Sequence, residues 1–136
     1  MNTHIICVTV WMTLYGLSMG WTTPGPESTL LVINRSSAES VSIGEYYSEK
    51  RHIAPSFRCE IDVEPSELIA HDVFEQMVTR PVLDCVAQNV TRIEAIVLTR
   101  GVPLRVAIRR VDVPGDSPPL TVSSASLLSV AQSTQR

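Results

Sequence analysis

Thr29-Leu30-Leu31-Val32-Ile33-Asn34 is a short, nearly continuous apolar run rich in branched side chains. A strand that reads this way is covered on both faces, the pattern of a parallel sheet held between helices. Immediately after it, Ser36-Ser37-Ala38-Glu39 fits a capping box. The Ser36 hydroxyl would accept from the Glu39 amide while the Glu39 carboxylate returns to the Ser36 amide, so a helix is expected to begin there. Val41, Gly44 and Tyr47 recur at spacings of three and form an apolar stripe along it. Gly44 costs about 1 kcal/mol of helix propensity against Ala, which suits a close approach to the sheet. Lys50-Arg51 complements the carboxyl end of the helix dipole, and Pro55 ends any continuation.

Further along, Phe57-Arg58-Cys59-Glu60-Ile61-Asp62-Val63 alternates apolar and polar residues, as an edge strand with one exposed face would. His71 to Gln88 carries Phe74, Met77 or Val78, Pro81 or Val82, and Cys85 at helical spacing. Pro81 removes a backbone donor and crowds the carbonyl four residues back, so a kink or two abutting helices are expected near Thr79-Arg80. Ile93-Glu94-Ala95-Ile96-Val97-Leu98-Thr99 is the third strand and, by its apolar content, the expected centre of the sheet. Arg100-Gly101-Val102-Pro103 turns away from it, Leu104 to Val111 continues as a strand or extended segment, and Pro114 to Pro119 is a loop. Ser123 to Gln132 reads as a short helix.

Strands alternating with helical crossovers predict an α/β fold. The expected form is a three-layer sandwich on a mostly parallel sheet, of the Rossmann-like or flavodoxin-like kind. Such sheets usually carry about five strands, so the chain reads as an incomplete version of that architecture. Its composition, 44% hydrophobic and 18% charged, is that of an ordinary globular domain. A formal net charge of -3 with scattered Lys and Arg argues against nucleic acid as a partner.

The amino terminus differs from the rest. Ile5 to Leu17 is an apolar run of thirteen residues without a formal charge, and Ser18-Met19-Gly20 places small residues where signal peptidase accepts them. A spanning helix needs roughly 20 apolar residues, so this run reads as a signal peptide, residues 1–20, cleaved after Gly20, and not as a stable anchor. Residues 21–28 form a linker, and residues 29–136 form a single α/β domain. The product is expected in the periplasm or outside the cell, with no stable membrane span after cleavage. Export removes Cys7 and leaves Cys59 and Cys85 where disulfides are permitted. Sequence leaves their pairing open, and the plainer reading is two small buried hydrophobes.

In Asn34 to Ile53 an apolar strand ends in Asn, a helix carries a Ser-Val and a Tyr-Tyr pair, and Lys50-Arg51-His52-Ile53 leads towards a proline. With Phe74 through Pro81-Val82 and the turn Leu98-Thr99-Arg100-Gly101-Val102-Pro103-Leu104-Arg105-Val106, these features span about Leu30 to Val106. They resemble a family of uncharacterised exported bacterial proteins found in species that carry the exosortase protein-sorting system. The resemblance implies export and fold more than chemistry. That family is longer than this chain and commonly has a Ser-Val-Asp stretch after the turn. Thr121-Val122-Ser123-Ser124 looks like that stretch with its acid replaced by Ser123.

Ligands of open α/β sheets sit outside the carboxyl ends of the strands, here Asn34-Arg35-Ser36, Val63-Glu64 and Thr99-Arg100-Gly101. Asn34 and Ser36 would present polar groups at a helix amino terminus, which suits an anion, and Arg100 or Arg105 would add charge. Thr99 and Gly101 complete the candidate set. The competing reading is ordinary turn chemistry and capping, which use the same residues. His52 and His71 stand without ligand-spaced neighbours, so no metal or other cofactor is expected. A Cys/His dyad, as in gingipain-like cysteine peptidases, needs its nucleophile on an exposed turn, whereas Cys59 and Cys85 lie inside elements.

The expected function is therefore that of a noncatalytic or incomplete exported domain, binding an unspecified ligand or partner at the strand ends. The alternative is the amino-terminal part of an exported hydrolase whose catalytic residues lie beyond this chain.

Overall fold

The structure, a computed structural model, describes residues 23–108 and 120–134. The proposed signal peptide, its cleavage site, the start of the linker and the Pro114 to Pro119 loop lie outside these residues. The fold is mixed α/β. Strand β1 (Thr29–Asn34) leads to helix α1 (Ala38–Arg51), and strand β2 (Arg58–Ile61) follows a 3-10 turn at Pro55–Phe57. Strand β3 (Leu68–Ala70) runs into helix α2 (His71–Phe74), a π-helical turn (Glu75–Thr79) and helix α3 (Arg80–Gln88). Strands β4 (Ala95–Leu98), β5 (Arg105–Ile108) and β6 (Leu120–Ser123) and helix α4 (Ser124–Thr134) complete the described residues.

The first sheet has the order β2-β1-β4, and both pairings are parallel. The segments near residues 30, 60 and 96 do lie side by side in one direction, with helices in the connections. The centre, however, is β1 and not the strand near residue 96. All six residues of β1 are buried, whereas each residue of β4 is only half-buried. Apolar content alone could not separate the two, because a strand at the edge of a covered sheet still packs both faces.

Alternation along β1 divides the core. Leu30 and Val32 pack with Phe74, Val78 and Val82 from the segment after β3, while Leu31 and Ile33 pack with Val41, Tyr47 and Ile53. Gly44 earns its place on α1 by proximity: a Cβ there would lie 2.6 Å from Ile33 Cδ1. The helix starts one residue later than the capping box implies. Ser37, not Ser36, is the N-cap, its hydroxyl accepting from the Ser40 amide at 3.2 Å. Its other end closes through His52, which adopts the left-handed conformation at φ 56° and donates to the Glu49 carbonyl, while the Ile53 amide donates to Ser48.

The interruption expected near Thr79-Arg80 takes the form of the π turn at Glu75–Thr79, with Pro81 in the first turn of α3. Proline has no N–H for the carbonyl four residues back, that of Met77, and a π turn is a common way for a helix to absorb such a break in its ladder.

Two features depart from the sequence reading. Cys59 and Cys85 are joined by a disulfide, with their Cα atoms 5.9 Å apart, so they are not independent buried hydrophobes. Cys59 points into the core from β2, and α3 packs against that strand, which carries Cys85 over it. Second, β3, β5 and β6 form a separate three-stranded sheet, parallel between β3 and β5 and antiparallel between β5 and β6. Among the described residues, no helix is long and apolar enough to cross a membrane.

Candidate functional site

Asn34 ends β1 fully buried, and every polar atom of its side chain is engaged. Its Nδ2 donates to the Val63 carbonyl and to the Gly101 carbonyl, each at 2.7 Å. Its Oδ1 accepts from the Val63 amide at 3.1 Å and the Ser36 amide at 3.2 Å. An asparagine side chain offers two donors and two acceptor lone pairs, so this one has reached its full capacity. The three chain segments that leave β1, β2 and β4 at their carboxyl ends are therefore clasped by one amide.

A second layer of hydroxyls lies beside the clasp. The Asn34 amide donates to Ser40 Oγ at 2.8 Å, Ser40 Oγ shares a hydrogen bond with Thr99 Oγ1, and Thr99 Oγ1 donates to the Val32 carbonyl at 2.9 Å. Ser40 and Thr99 are both buried. Gly101 completes the junction. At φ 99° it occupies a conformation that other residues rarely adopt, and a Cβ there would lie 2.7 Å from Ser37 Cβ. The turn after β4 thus rests directly on the start of α1.

Around this frame lies an exposed rim of mixed charge. Arg35 faces Glu60 at 3.9 Å and Asp62 at 3.6 Å, and Ser36 Oγ donates to Asp62 Oδ1. Arg100 pairs with Glu39 at 3.0 Å, its side chain 77% exposed. The carboxylate of Glu39 occupies the first turn of α1, where the helix dipole favours negative charge. A free anion at that helix end would meet Glu39 together with Arg100, so the geometry there suits mixed charge better than a simple anion.

Of the candidate residues, Asn34, Thr99 and Gly101 come together as the buried frame, and Ser36 and Arg100 come together on the rim. Arg105 belongs elsewhere. It lies in β5, its amide donates to the Glu67 carbonyl at 3.0 Å, and its guanidinium pairs with Glu67 at 3.6 Å. Sequence reasoning missed Ser40, Glu39 as the partner of Arg100, and the Arg35–Asp62–Ser36 group. The usable signal was the density of polar residues between Asn34 and Ser40 directly after an apolar strand. The sequence matches no protein-family model, and neither a curated protein nor a solved structure matches it.

Proposed function

We propose that this chain is an exported, noncatalytic α/β domain that binds a polypeptide partner across the rim at the carboxyl ends of β1, β2 and β4. The observation that carries the reading is the division of labour at that edge. The polar groups of Asn34, Ser40 and Thr99 are spent internally, while Arg35, Ser36, Glu39, Asp62 and Arg100 stay exposed in weak pairs. Exposed ion pairs contribute roughly 0–1 kcal/mol, so they are readily exchanged for a partner's charges. A rim of both signs suits a polypeptide surface of complementary mixed charge, whose residues can meet each group separately.

The order β2-β1-β4, with core residues on both faces of β1, suits the first half of a doubly wound, flavodoxin-like three-layer sheet, whose ligand edge is this same rim. The Cys59–Cys85 bridge supports export, because disulfides persist in oxidising compartments. Export is also what the resemblance of the strand, helix and turn motifs to the exosortase-associated bacterial proteins implies.

The test is affinity capture from the exported fraction with the tagged mature chain, comparing wild type, Arg35→Ala/Arg100→Ala and Arg105→Ala. Loss of a discrete partner in the double variant, with retention in Arg105→Ala, is the expected result. Capture that ignores the rim variant, or that depends on Arg105, overturns the reading. Mass spectrometry of the same exported product should find Trp21 at its amino terminus, and an intact Met1 would contradict cleavage after Gly20.

A further inference from the structure

Among the described residues, the four sheet edges are not equivalent. On β2 the outer strand carries Arg58 and Glu60, β3 is three residues long, and β6 alternates with Thr121 and Ser123. Charges, short length and polar residues are the ordinary devices that keep an edge from pairing with another chain. By contrast β4, Ala95-Ile96-Val97-Leu98, is wholly apolar, half-buried throughout, and bonded to β1 on one side. The Thr99 amide donates to the Val32 carbonyl at 3.1 Å, so in this register the peptide groups of the odd-numbered residues Ala95 and Val97 face β1. Those of Ile96 and Leu98 then face away from the sheet, because successive peptide groups alternate sides.

We propose that β4 pairs with β4 of a second copy of this chain, antiparallel about a two-fold axis at Val97, joining two three-stranded sheets into one of six strands. The charge pattern around the strand points to a second copy as its partner. Antiparallel self-pairing centred on Val97 sets Glu94 opposite Arg100 of the other copy, at both ends of the ladder. It sets Ile96 opposite Leu98, whose outward peptide groups are positioned to exchange both hydrogen bonds, and Val97 opposite itself as the non-hydrogen-bonded pair between them. Ile96 and Leu98 pack against one core cluster and Val97 against the other, so each apolar cross-strand contact extends an existing core face. Glu94 is exposed, and Arg100, its side chain 77% exposed, can exchange its surface pair with Glu39 for Glu94 of the other copy. An isologous pairing of this kind closes on itself and leaves no further β4 edge for growth. The ladder is short against an ordinary interface of about 1,600 Å², which puts the pairing among weak, concentration-dependent associations. The inference does not rest on the rim's binding function, since it is read from self-association alone.

Sedimentation equilibrium of the exported product, from micromolar to millimolar concentration, provides the test, with far-UV circular dichroism to establish that each variant is folded. Wild type should approach twice the monomer mass. Glu94→Arg and Arg100→Glu should each weaken self-association at least tenfold, since each sets like charges opposite at both ends. Mixing the two single variants should restore association, because each then meets opposite charge on the other, and the double exchange Glu94→Arg/Arg100→Glu should do the same within one chain. A wild-type chain that stays monomeric throughout overturns the proposal. So does a dimer indifferent to the single reversals, or one that neither the mixture nor the double exchange restores.

Discussion

Replacing Asn34 by Ala should remove the clasp while leaving all three strands intact, and its cost can be worked from the groups left behind. Val63 loses partners for both its amide and its carbonyl, and Val63 is buried. A buried polar group left unpaired costs about 1–3 kcal/mol, so the Val63 pair accounts for most of the effect. The Gly101 carbonyl and the Ser36 amide are only partly buried and can take water in exchange. The total is about 4 kcal/mol, a large share of the roughly 5–15 kcal/mol that holds a domain folded. Equilibrium urea unfolding followed by far-UV circular dichroism reads this directly. With a slope of about 1.5 kcal/mol per molar, the midpoint should fall by roughly 2.5 M. Asn34→Asp keeps the size and both acceptors but turns an oxygen towards the Val63 and Gly101 carbonyls, so it should fare no better than Ala. Ser36→Ala is the control: it loses one exposed hydrogen bond to Asp62 and should shift stability by under about 0.5 kcal/mol. A loss under about 1 kcal/mol for Asn34→Ala would refute the clasp and return Asn34 to the role of a ligand-facing amide.

Reduction of Cys59–Cys85, or the Cys59→Ser/Cys85→Ser double variant, reopens a loop with a sequence separation of 26. Chain entropy gives about 3.5 kcal/mol for such a loop, measurable as the difference between oxidised and reduced urea curves. His52→Gly should raise stability by roughly 0.5–1 kcal/mol, because glycine adopts the left-handed C-cap conformation without the strain of a Cβ; a destabilised variant would show that the imidazole contributes a contact of its own.

Much of the first sheet was legible because its determinants are local. The apolar run of β1, the alternation of β2 and the helical spacing after His71 each declare themselves within a dozen residues. Strand β3 did not, because three residues between Pro65 and His71 are too few for any period to show. Strand β6 did not either, since Leu120–Ser123 becomes a strand through pairing with β5, a long-range event. The helix start slipped by one residue for a related reason. Ser36 and Ser37 are equivalent by composition, but Asn34 Oδ1 takes the Ser36 amide and Asp62 takes its hydroxyl, which leaves Ser37 to cap. The disulfide depends on how α3 lies on β2, which no local pattern encodes. The site was half legible: polar residues at strand ends locate the edge, but cannot distinguish an amide turned inward from one offered to solvent.

The Cys59–Cys85 bridge has a practical consequence for the exposed stretch Glu64 to Leu68, which lies between the two cysteines along the chain. A protease that cuts there would release nothing, for the two pieces would travel together on a non-reducing gel and separate only after thiol treatment. Wherever peptidases abound, a nick in this stretch would leave β1 and α3 in one covalent body.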